Sequence, residues 1–570
     1  MATEYTTYEH DVLVIGAGLA GMRAAIEAQK MGADVAMISK VHPVRSHSNA
    51  AQGGVNGPGI GEDGGPWEEH AYETTKASDY LGDQDAITIL AQEGGREVLQ
   101  MEHWGVVFSR KPDGQMAVRR FGGMGKARTF FVGAITGQAM LHVLYEQLMK
   151  PSVYQALRNY EEWFVTSLII DEGKCRGAVA MNIHTGELHA ITAKATIVCT
   201  GGLGRVYEPS TNALICTGDG IAQAYRVGAP IMDMEMIQIH PTTLKGTGVL
   251  ITEGARGEGA YLLNKDGERF MSKYAPNMME LASRDVVSRA EQMELDEGRG
   301  VDGCVFLDMR HLGEDLIKER LEEIYEIARD LVNIDITKEL LPILPGVHYA
   351  MGGIKTDVDG ATPMPGLYSA GEAACVSVHG ANRVGANSLL DTIVFGRRAA
   401  EHAVPWLRSQ TFKPIPESVV EKDRAMIQDI LARPKTDDRV ARIRRDMGET
   451  MSANVGLFRS PEKLEQQLGI LKELRARYEK VGIDDKGKVF NTDLLFHIEL
   501  GYMIDCAEMI TKSAIERKES RGAHTRLDFP NRDDENFLKH IVLTKQPDGS
   551  EKMSYIPVTI TEWQPQERKY

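Results

Sequence analysis

Three glycines at a fixed spacing, Gly16-x-Gly18-x-x-Gly21, follow an apolar run at residues 12–15 and open an Ala-rich amphipathic stretch reaching about residue 31. A second apolar run, 35–38, comes next. Strand, turn, helix and strand in that register make a pyrophosphate cradle. A side chain at Gly16 or Gly18 would hold phosphates away from the N–H groups at the helix N-terminus, and one at Gly21 would push helix from strand. The predicted ligand is a dinucleotide. Ser39-Lys40 stands where an acid usually holds the ribose 2′-OH of a nicotinamide dinucleotide, which leaves room for FAD. Residues 41–54, VHPVRSHSNAAQGG, come directly after with Arg45, His47 and Gln52, and lead into a loop with seven glycines between Gly53 and Gly65. Glycine lets a backbone approach a flat ring closely.

These residues need a scaffold, and the spacing predicts one of α/β class. Helical periodicity covers 86–102 and 136–150, the second stopped at Pro151. Residues 165–170, 177–183 and 187–192 alternate as a small antiparallel meander with a turn at 184–186, and 195–200 reads as a separate buried strand returning to the first sheet. Thr217-Gly218-Asp219-Gly220 starts a helix, where Asp219 is either an N-cap or a group reaching a cofactor hydroxyl. From 235 to 347 the pattern is mixed α and β, rich in His, Arg and Glu. After it, 366–372 reads again as a buried strand ending on glycine and Glu372.

The expected organisation is a Rossmann-like FAD-binding domain (1–234) interrupted by an α+β capping domain (235–347) and resumed over 348–414. A helical domain (415–541) and an extended, polar C-terminal arm (542–570) complete it.

At 570 residues the chain exceeds one ordinary domain. Sixty-five basic against 81 acidic residues give a net charge of −16, which disfavours nucleic acid or an anionic membrane surface as partner. No apolar run is long enough to cross a bilayer, and residues 1–10 have neither a signal-peptide nor a transit-peptide pattern, so a cytoplasmic setting is expected. Six cysteines lie far apart with no C-x-x-C pair, which argues against a disulfide framework, a zinc site, an iron–sulfur cluster or a c-type haem in this chain. No metal is expected, and electrons must enter or leave through another molecule.

Five ordered motifs then become specific: GAGLAG at 16–21, RSHSNAAQGG at 45–54, HPTT with LITEGARGEG at 240–259, HGANRVGANSLLD at 379–391, and SRGAHTRLDFPNRDDENFLKH at 520–540. From about residue 8 to 543 the chain resembles the flavoprotein subunit of succinate dehydrogenase and fumarate reductase, the catalytic subunit of respiratory complex II. The resemblance implies covalent FAD, bonded through His47 to the flavin 8α carbon. It assigns Gly16, Ala17, Gly18, Leu19, Ala20 and Gly21, with Ser39 and Lys40, to the pyrophosphate and ribose. Arg45 and Ser46 flank the attachment point, Gln52, Gly53 and Gly54 face the ring, Asp219 and Glu372 meet hydroxyls, and Ser388 and Leu389 lie at the pyrimidine edge.

A C4 dicarboxylate brings two negative charges into a closed site, so an acidic protein must supply local donors and cations. By resemblance these are His240, Thr252, His348 and Arg383. Taken singly, the histidines could be core residues, Thr252 a strand residue and Arg383 an ion-pair partner. Arg284 matches the proton-transferring arginine, with Glu253 and Arg256 completing its relay; a structural pair between Arg284 and Asp285, or a role for Arg289, stays open. The resemblance further implies an iron–sulfur subunit and a quinone-binding membrane anchor, which would hold this chain peripherally at the cytoplasmic face of the inner or cell membrane. Two departures mark the chain. Ala134-Ile135-Thr136-Gly137 replaces Asp-Arg-Thr-Gly, and HPTT replaces HPTG, placing Thr243 beside the predicted site. Gln52, where many fumarate reductases have glutamate, leans toward succinate oxidation. A free-standing L-aspartate-oxidase-like enzyme, normally without the histidine at 47, and a non-catalytic flavin-carrying assembly subunit are the competing readings.

Overall fold

The computed structural model describes residues 5–61, 65–150 and 157–568, so Pro151 and part of the Gly-rich loop lie outside the described residues. Strand Thr7–Ile15 is the centre of the main sheet. It pairs in parallel with Val35–Ser39 on one edge and Leu188–Val198 on the other, and Leu157–Glu161 extends the sheet beyond Val35–Ser39. Residues 12–15 and 35–38 are almost wholly buried, as expected of a parallel sheet covered on both faces.

The two strands expected at 187–192 and 195–200 are one, Leu188–Val198. One edge of it changes partners along its length. Its first half pairs antiparallel with Lys174–Asn182 and its last residues pair parallel with Leu367–Ser369, while Thr7–Ile15 runs along the opposite edge throughout. No turn is needed where the partners change. Lys194, the charge that interrupts the apolar pattern there, reaches Asp11 at 2.7 Å.

The chain between these pieces of the main sheet builds a four-stranded antiparallel sheet ordered Ile237–Leu244, Leu341–Ala350, Val305–Asp308, Tyr261–Leu263. Helix Arg284–Asp296 packs against it. Helix Asn387–Trp406 returns to lie on Leu19–Lys30. Contact there is close: a Cβ at Gly396 would stand 2.6 Å from the Ala20 carbonyl oxygen. Gly396→Ala is therefore expected to destabilise by ~1–3 kcal/mol through overpacking. Gly469→Ala, in open space on the exposed side of helix Pro461–Lys480, is expected to stabilise by ~0.5–1 kcal/mol. Thermal unfolding of the two variants should move in opposite directions.

Four long helices, Glu417–Ala432, Val440–Val455, Pro461–Lys480 and Thr492–Glu516, fill the helical stretch and share a core with the meander. The C-terminal stretch departs from the extended arm expected. Lys539–Lys545 and Glu551–Pro557 form a hairpin joined to Ile231–Met232, and only the chain beyond Pro557 runs extended, with the N–H groups of Thr561, Glu562 and Trp563 donating to the Gln84 side chain. The turn signal Pro547-Asp548-Gly549 and the alternating residues before it are the source of the hairpin. Among the described residues no helix is long and apolar enough to cross a membrane, no cluster of His, Cys, Asp and Glu could hold a metal, and the six cysteines are free and buried.

Candidate active site

One cavity runs from the first strand–helix turn to the edge of the antiparallel sheet. At the turn, Gly16 has φ +105°, and a Cβ there would sit 2.2 Å from the Cys199 carbonyl oxygen. A Cβ at Gly21 would sit 1.8 Å from the Gly16 oxygen, so both positions exclude any side chain. The neighbours of a Cβ at Gly18 would be Ser48 and Ser46 at 3.4 Å and beyond, which leaves room beside the N-terminus of helix Leu19–Lys30.

Lys40 lies just past the second strand, and its ammonium bonds Asp219 and Glu499, each at 2.6 Å, and Thr217 at 3.0 Å. Burial opposes the charge, but Asp219 and Glu499 outweigh it and raise the Lys40 pKa. Asp219 therefore points its carboxylate at Lys40 and Thr217, and Gly218 in the left-handed region takes the N-cap position. Glu372 accepts from the Ala350 N–H at 3.0 Å, and burial pushes its carboxyl up to about 7.

His47 sits on the short turn His47–Ala50. Its Nδ1 accepts the Ala213 N–H at 3.2 Å, while burial and then Arg205 push its pKa down to about 4. The ring is neutral, and Nδ1 is committed as an acceptor. Gln52 donates to the Leu250 carbonyl at 3.1 Å; its Oε1 and the Ser46 hydroxyl are buried without hydrogen-bond partners on residues that line the cavity. Arg119 holds the Gly53 carbonyl at 2.8 Å and lies over Phe131. Ser388 and Leu389 line the cavity from the first turn of the twenty-residue helix Asn387–Trp406. A glycine cradle, orphaned polar atoms beside the Gln52 loop and two helix N-termini on one elongated cavity fit FAD.

At the far end of the cavity stand His240, Thr252, Glu253, Arg284, His348 and Arg383. His240 and His348 lie on neighbouring strands with irregular register, their ring centroids 5.0 Å apart. Burial first, then Arg284, lowers both pKa values well below the ordinary range, so both are neutral donors. His240 Nδ1 accepts the Thr242 N–H, which puts its proton on Nε2, and His348 Nδ1 meets the Thr211 hydroxyl at 2.8 Å. Thr252 Oγ1 accepts from the Gly254 N–H at 3.2 Å, so its own hydroxyl proton remains available for another acceptor.

Arg284 is the first residue of helix Arg284–Asp296. Its Nε donates to Glu253 at 2.9 Å and its Nη1 to Gln238 at 3.1 Å. Glu253 also accepts the Gly122 N–H at 2.7 Å. Burial opposes its charge, but Arg284 and Arg256 hold the carboxyl below its ordinary range. Arg256 stands behind, Nη2 3.9 Å from Glu253 and Nη1 donating to the Glu280 carbonyl at 2.5 Å. Asp285 turns away from Arg284, to Arg289 at 3.1 Å and Arg568 at 2.9 Å. The Arg284–Asp285 pair and the Arg289 alternative thus separate from the cavity. Arg383 is 2% exposed, its guanidinium carbon 4.4 Å over the Tyr349 ring and its Nε without a hydrogen bond. Burial, then Arg284, pushes its pKa down to about 9.

Three expected residues do not line the cavity: Gly21 lies behind the turn, Arg256 behind Glu253, and Arg45 is exposed on its own turn. Gln238, Tyr349, Phe121, Arg119 and Glu499 join the site without a sequence expectation. Gln238 had a signal, since it stands between two isoleucines and alternates with His240 in strand Ile237–Leu244; Glu499, on a helix far along the chain, had none. The departures are local. Thr243 is buried with its hydroxyl unpaired and outside the cavity lining, and Thr136 opens its helix while donating to the Gln52 carbonyl.

A family model described as an FAD binding domain matches residues 11–389, and one described as fumarate reductase flavoprotein C-term matches 444–570. The fumarate reductase flavoprotein subunit of Mycobacterium tuberculosis (strain CDC 1551 / Oshkosh) is 45% identical, with 99% of this chain and 100% of the relative covered. The succinate dehydrogenase flavoprotein subunit of Rickettsia conorii is 43% identical, with 98% and 97% covered. Among solved structures, FrdA of E. coli quinol fumarate reductase matches with a TM-score of 0.94 at 41% identity, covering 99% of each chain. Two family models in order, full-length relatives above 40% identity and a matching fold agree: this chain belongs to the family of succinate dehydrogenase and fumarate reductase flavoprotein subunits.

Proposed function

We propose that the chain is a catalytic flavoprotein subunit that interconverts succinate and fumarate. The observation that carries this reading is a buried, incompletely paired Arg383 facing Arg284 and two neutral histidines, at the end of a cavity that begins in a dinucleotide cradle. FAD, held by the Gly16–Gly21 turn, Ser39, Lys40, the Gln52–Gly53 loop, Glu372 and the start of the Ser388 helix, supplies hydride exchange. The protein's own groups do the rest. Arg383, with His240, His348 and Thr252 as neutral donors, fixes the two carboxylates; one negative site would otherwise stay desolvated and unpaired. Arg284 moves a proton at the carbon next to the one that exchanges hydride. Free arginine is a poor base, and the anionic Glu253 at 2.9 Å with Arg256 behind it is the relay that replaces each proton at once. Placement and electrostatic preorganisation account for most of the acceleration.

The FAD is bonded covalently through His47. What supports this is a neutral imidazole whose Nδ1 already accepts a backbone N–H, so that Nε2 is where the flavin carbon would take the place of the ring proton. Electrons pass to an iron–sulfur subunit and then to a quinone-binding anchor, because the chain's cysteines are dispersed and buried. Solved relatives include a quinol-fumarate reductase with menaquinol molecules and Mycobacterium smegmatis Sdh1 in complex with UQ1. The chain would sit peripherally at the cytoplasmic face of the membrane, with the domain boundaries near 234, 347, 414 and 541 expected from its sequence.

Acid precipitation of protein co-expressed with its partner subunits and supplied with fumarate, with mass analysis of the His47 peptide, tests the attachment. Flavin on that peptide is expected. Flavin in the supernatant would favour the aspartate-oxidase-like alternative. His47→Ser is expected to retain FAD non-covalently and to lose succinate oxidation more than fumarate reduction; equal loss would refute a role of the bond in raising the flavin potential.

A further inference from the structure

The motif at 379–391 supplies Arg383 from its middle, while its two ends, His379 and Asp391, are not on the cavity wall. Both ends are buried, and both meet the hydroxyl of Tyr349. That hydroxyl donates to Asp391 Oδ2 at 3.3 Å, with His379 Nε2 3.3 Å from it and 3.4 Å from the same carboxylate oxygen. Burial lowers the His379 pKa and raises that of Tyr349 well above its ordinary range, so the imidazole is neutral and the phenol keeps its proton. The face of the same phenol ring carries Arg383, the guanidinium carbon 4.4 Å from the ring centroid. A buried cation and a buried carboxylate thus touch one side chain at different places, the cation on the face and the carboxylate at the hydroxyl. Among the described residues they form no ion pair with each other: Asp391 has His379 as its one ion-pairing group, and the Arg383 guanidinium reaches only the Val384 carbonyl. Opposite charges held by one ring in a poorly hydrated site would gain by pairing, and pairing would take from Arg383 the donors a substrate carboxylate needs.

We propose that Tyr349 is a positioning residue that keeps Arg383 open for substrate: its ring face holds the guanidinium, and its hydroxyl holds Asp391 back from it. The proposal rests on the succinate–fumarate reading, in which Arg383 meets a carboxylate. Tyr349 lines the cavity from strand Leu341–Ala350, one residue after His348, whereas Asp391 sits behind it on helix Asn387–Trp406. The hydroxyl therefore also joins the sheet that carries both substrate histidines to the helix whose first turn, at Ser388 and Leu389, is proposed to meet the flavin. Tyr349 moves no proton in this role, so its effect falls on binding and not on the chemical step.

The test measures the affinity for malonate, a dicarboxylate with no adjacent carbon pair to desaturate, from flavin absorbance in the assembled, flavin-loaded complex, together with steady-state kcat and KM. Tyr349→Phe keeps the ring face and releases Asp391. Malonate Kd and substrate KM should rise about three- to tenfold, with kcat within about twofold. Tyr349→Leu removes face and hydroxyl together, and the rise should be larger, about tenfold or more. Asp391→Asn added to these variants should recover most of the affinity lost in Tyr349→Phe and part of that lost in Tyr349→Leu, because it deletes the competing charge. A purely structural tyrosine predicts the opposite, a second loss added to the first. Wild-type affinity in Tyr349→Phe, a further loss on adding Asp391→Asn, or a fall in kcat at unchanged KM would each overturn the proposal. If Tyr349→Leu does not accumulate with flavin, Tyr349→Phe and its double variant with Asp391→Asn decide. A wild-type complex that neither binds malonate nor interconverts succinate and fumarate refutes the functional reading itself, a result distinct from any of these.

Discussion

Arg284→Ala is expected to lower kcat in both directions by roughly a thousandfold or more, while the affinity for a non-reactive dicarboxylate stays measurable. The asymmetry comes from where the side chain is anchored. Arg284 is held by Glu253 at 2.9 Å and Gln238 at 3.1 Å, so its place in the cavity is set by protein groups before any substrate arrives. The alanine variant keeps His240, Thr252, His348 and Arg383 on the cavity wall, the groups proposed to meet carboxylates. It loses the only member of the Glu253–Arg256 line that lines the cavity as a cation. Glu253 then has its main counter-charge removed, and its lowered pKa should rise toward or above the ordinary value. Arg284→Lys restores a cation but not a fork able to serve Glu253 and Gln238 together, so it should recover binding better than turnover. Binding is read from the perturbation of flavin absorbance and turnover from steady-state kinetics. Turnover near the wild-type level in Arg284→Ala would move proton transfer to another group.

How much of this is legible in the sequence depends on whether a residue's role is local. The dinucleotide turn is readable because Gly16, Gly18 and Gly21 act within one strand–turn–helix unit, where Gly21 answers to the Gly16 carbonyl and Gly16 to the end of the adjoining strand at Cys199. The meander misleads at one place for the opposite reason. Residues 188–198 look like two strands because Lys194 interrupts them, and only the change of partner from Lys174–Asn182 to Leu367–Ser369 explains a single strand. The inner half of the site is reached through motif resemblance, since nothing near His240 in sequence announces His348, Arg284 or Arg383. Folding brings them together through the antiparallel pairing of Ile237–Leu244 with Leu341–Ala350 and the packing of helix Arg284–Asp296 on that sheet. Glu499 shows the limit. It meets Lys40 across 459 positions, and a glutamate on a long helix carries no mark of a buried bond to the cofactor end. Arg45 shows the reverse error, a residue inside a strong motif whose side chain is on the surface.

Arg383→Gln is expected to lower kcat/KM for either substrate by about a hundred- to ten-thousandfold, or ~3–6 kcal/mol, the worth of two charge-assisted hydrogen bonds to a carboxylate. The arginine is prepared for an anion the free protein does not provide. It is buried, its Nε is unpaired, the one hydrogen bond of its guanidinium among the described residues reaches the Val384 carbonyl at 3.5 Å, and the guanidinium lies over the face of Tyr349. A cation over an aromatic face gains ~1–2 kcal/mol, well short of what burial of a guanidinium costs, so an arriving carboxylate completes an unfinished ion pair. The lowered pKa has the same origin: burial and the positive Arg284 disfavour the charge, and an anion bound between the two removes both penalties. Glutamine keeps a donor, on a shorter side chain, but supplies neither the charge nor the fork, so ground-state binding and the transition state should both suffer, with KM raised and kcat lowered. That pattern separates Arg383 from Arg284, whose loss should fall almost wholly on kcat. Affinity for a non-reactive dicarboxylate should drop in Arg383→Gln and persist in Arg284→Ala, and equal loss of affinity in both variants would refute the division between the group that holds the substrate and the group that moves its proton.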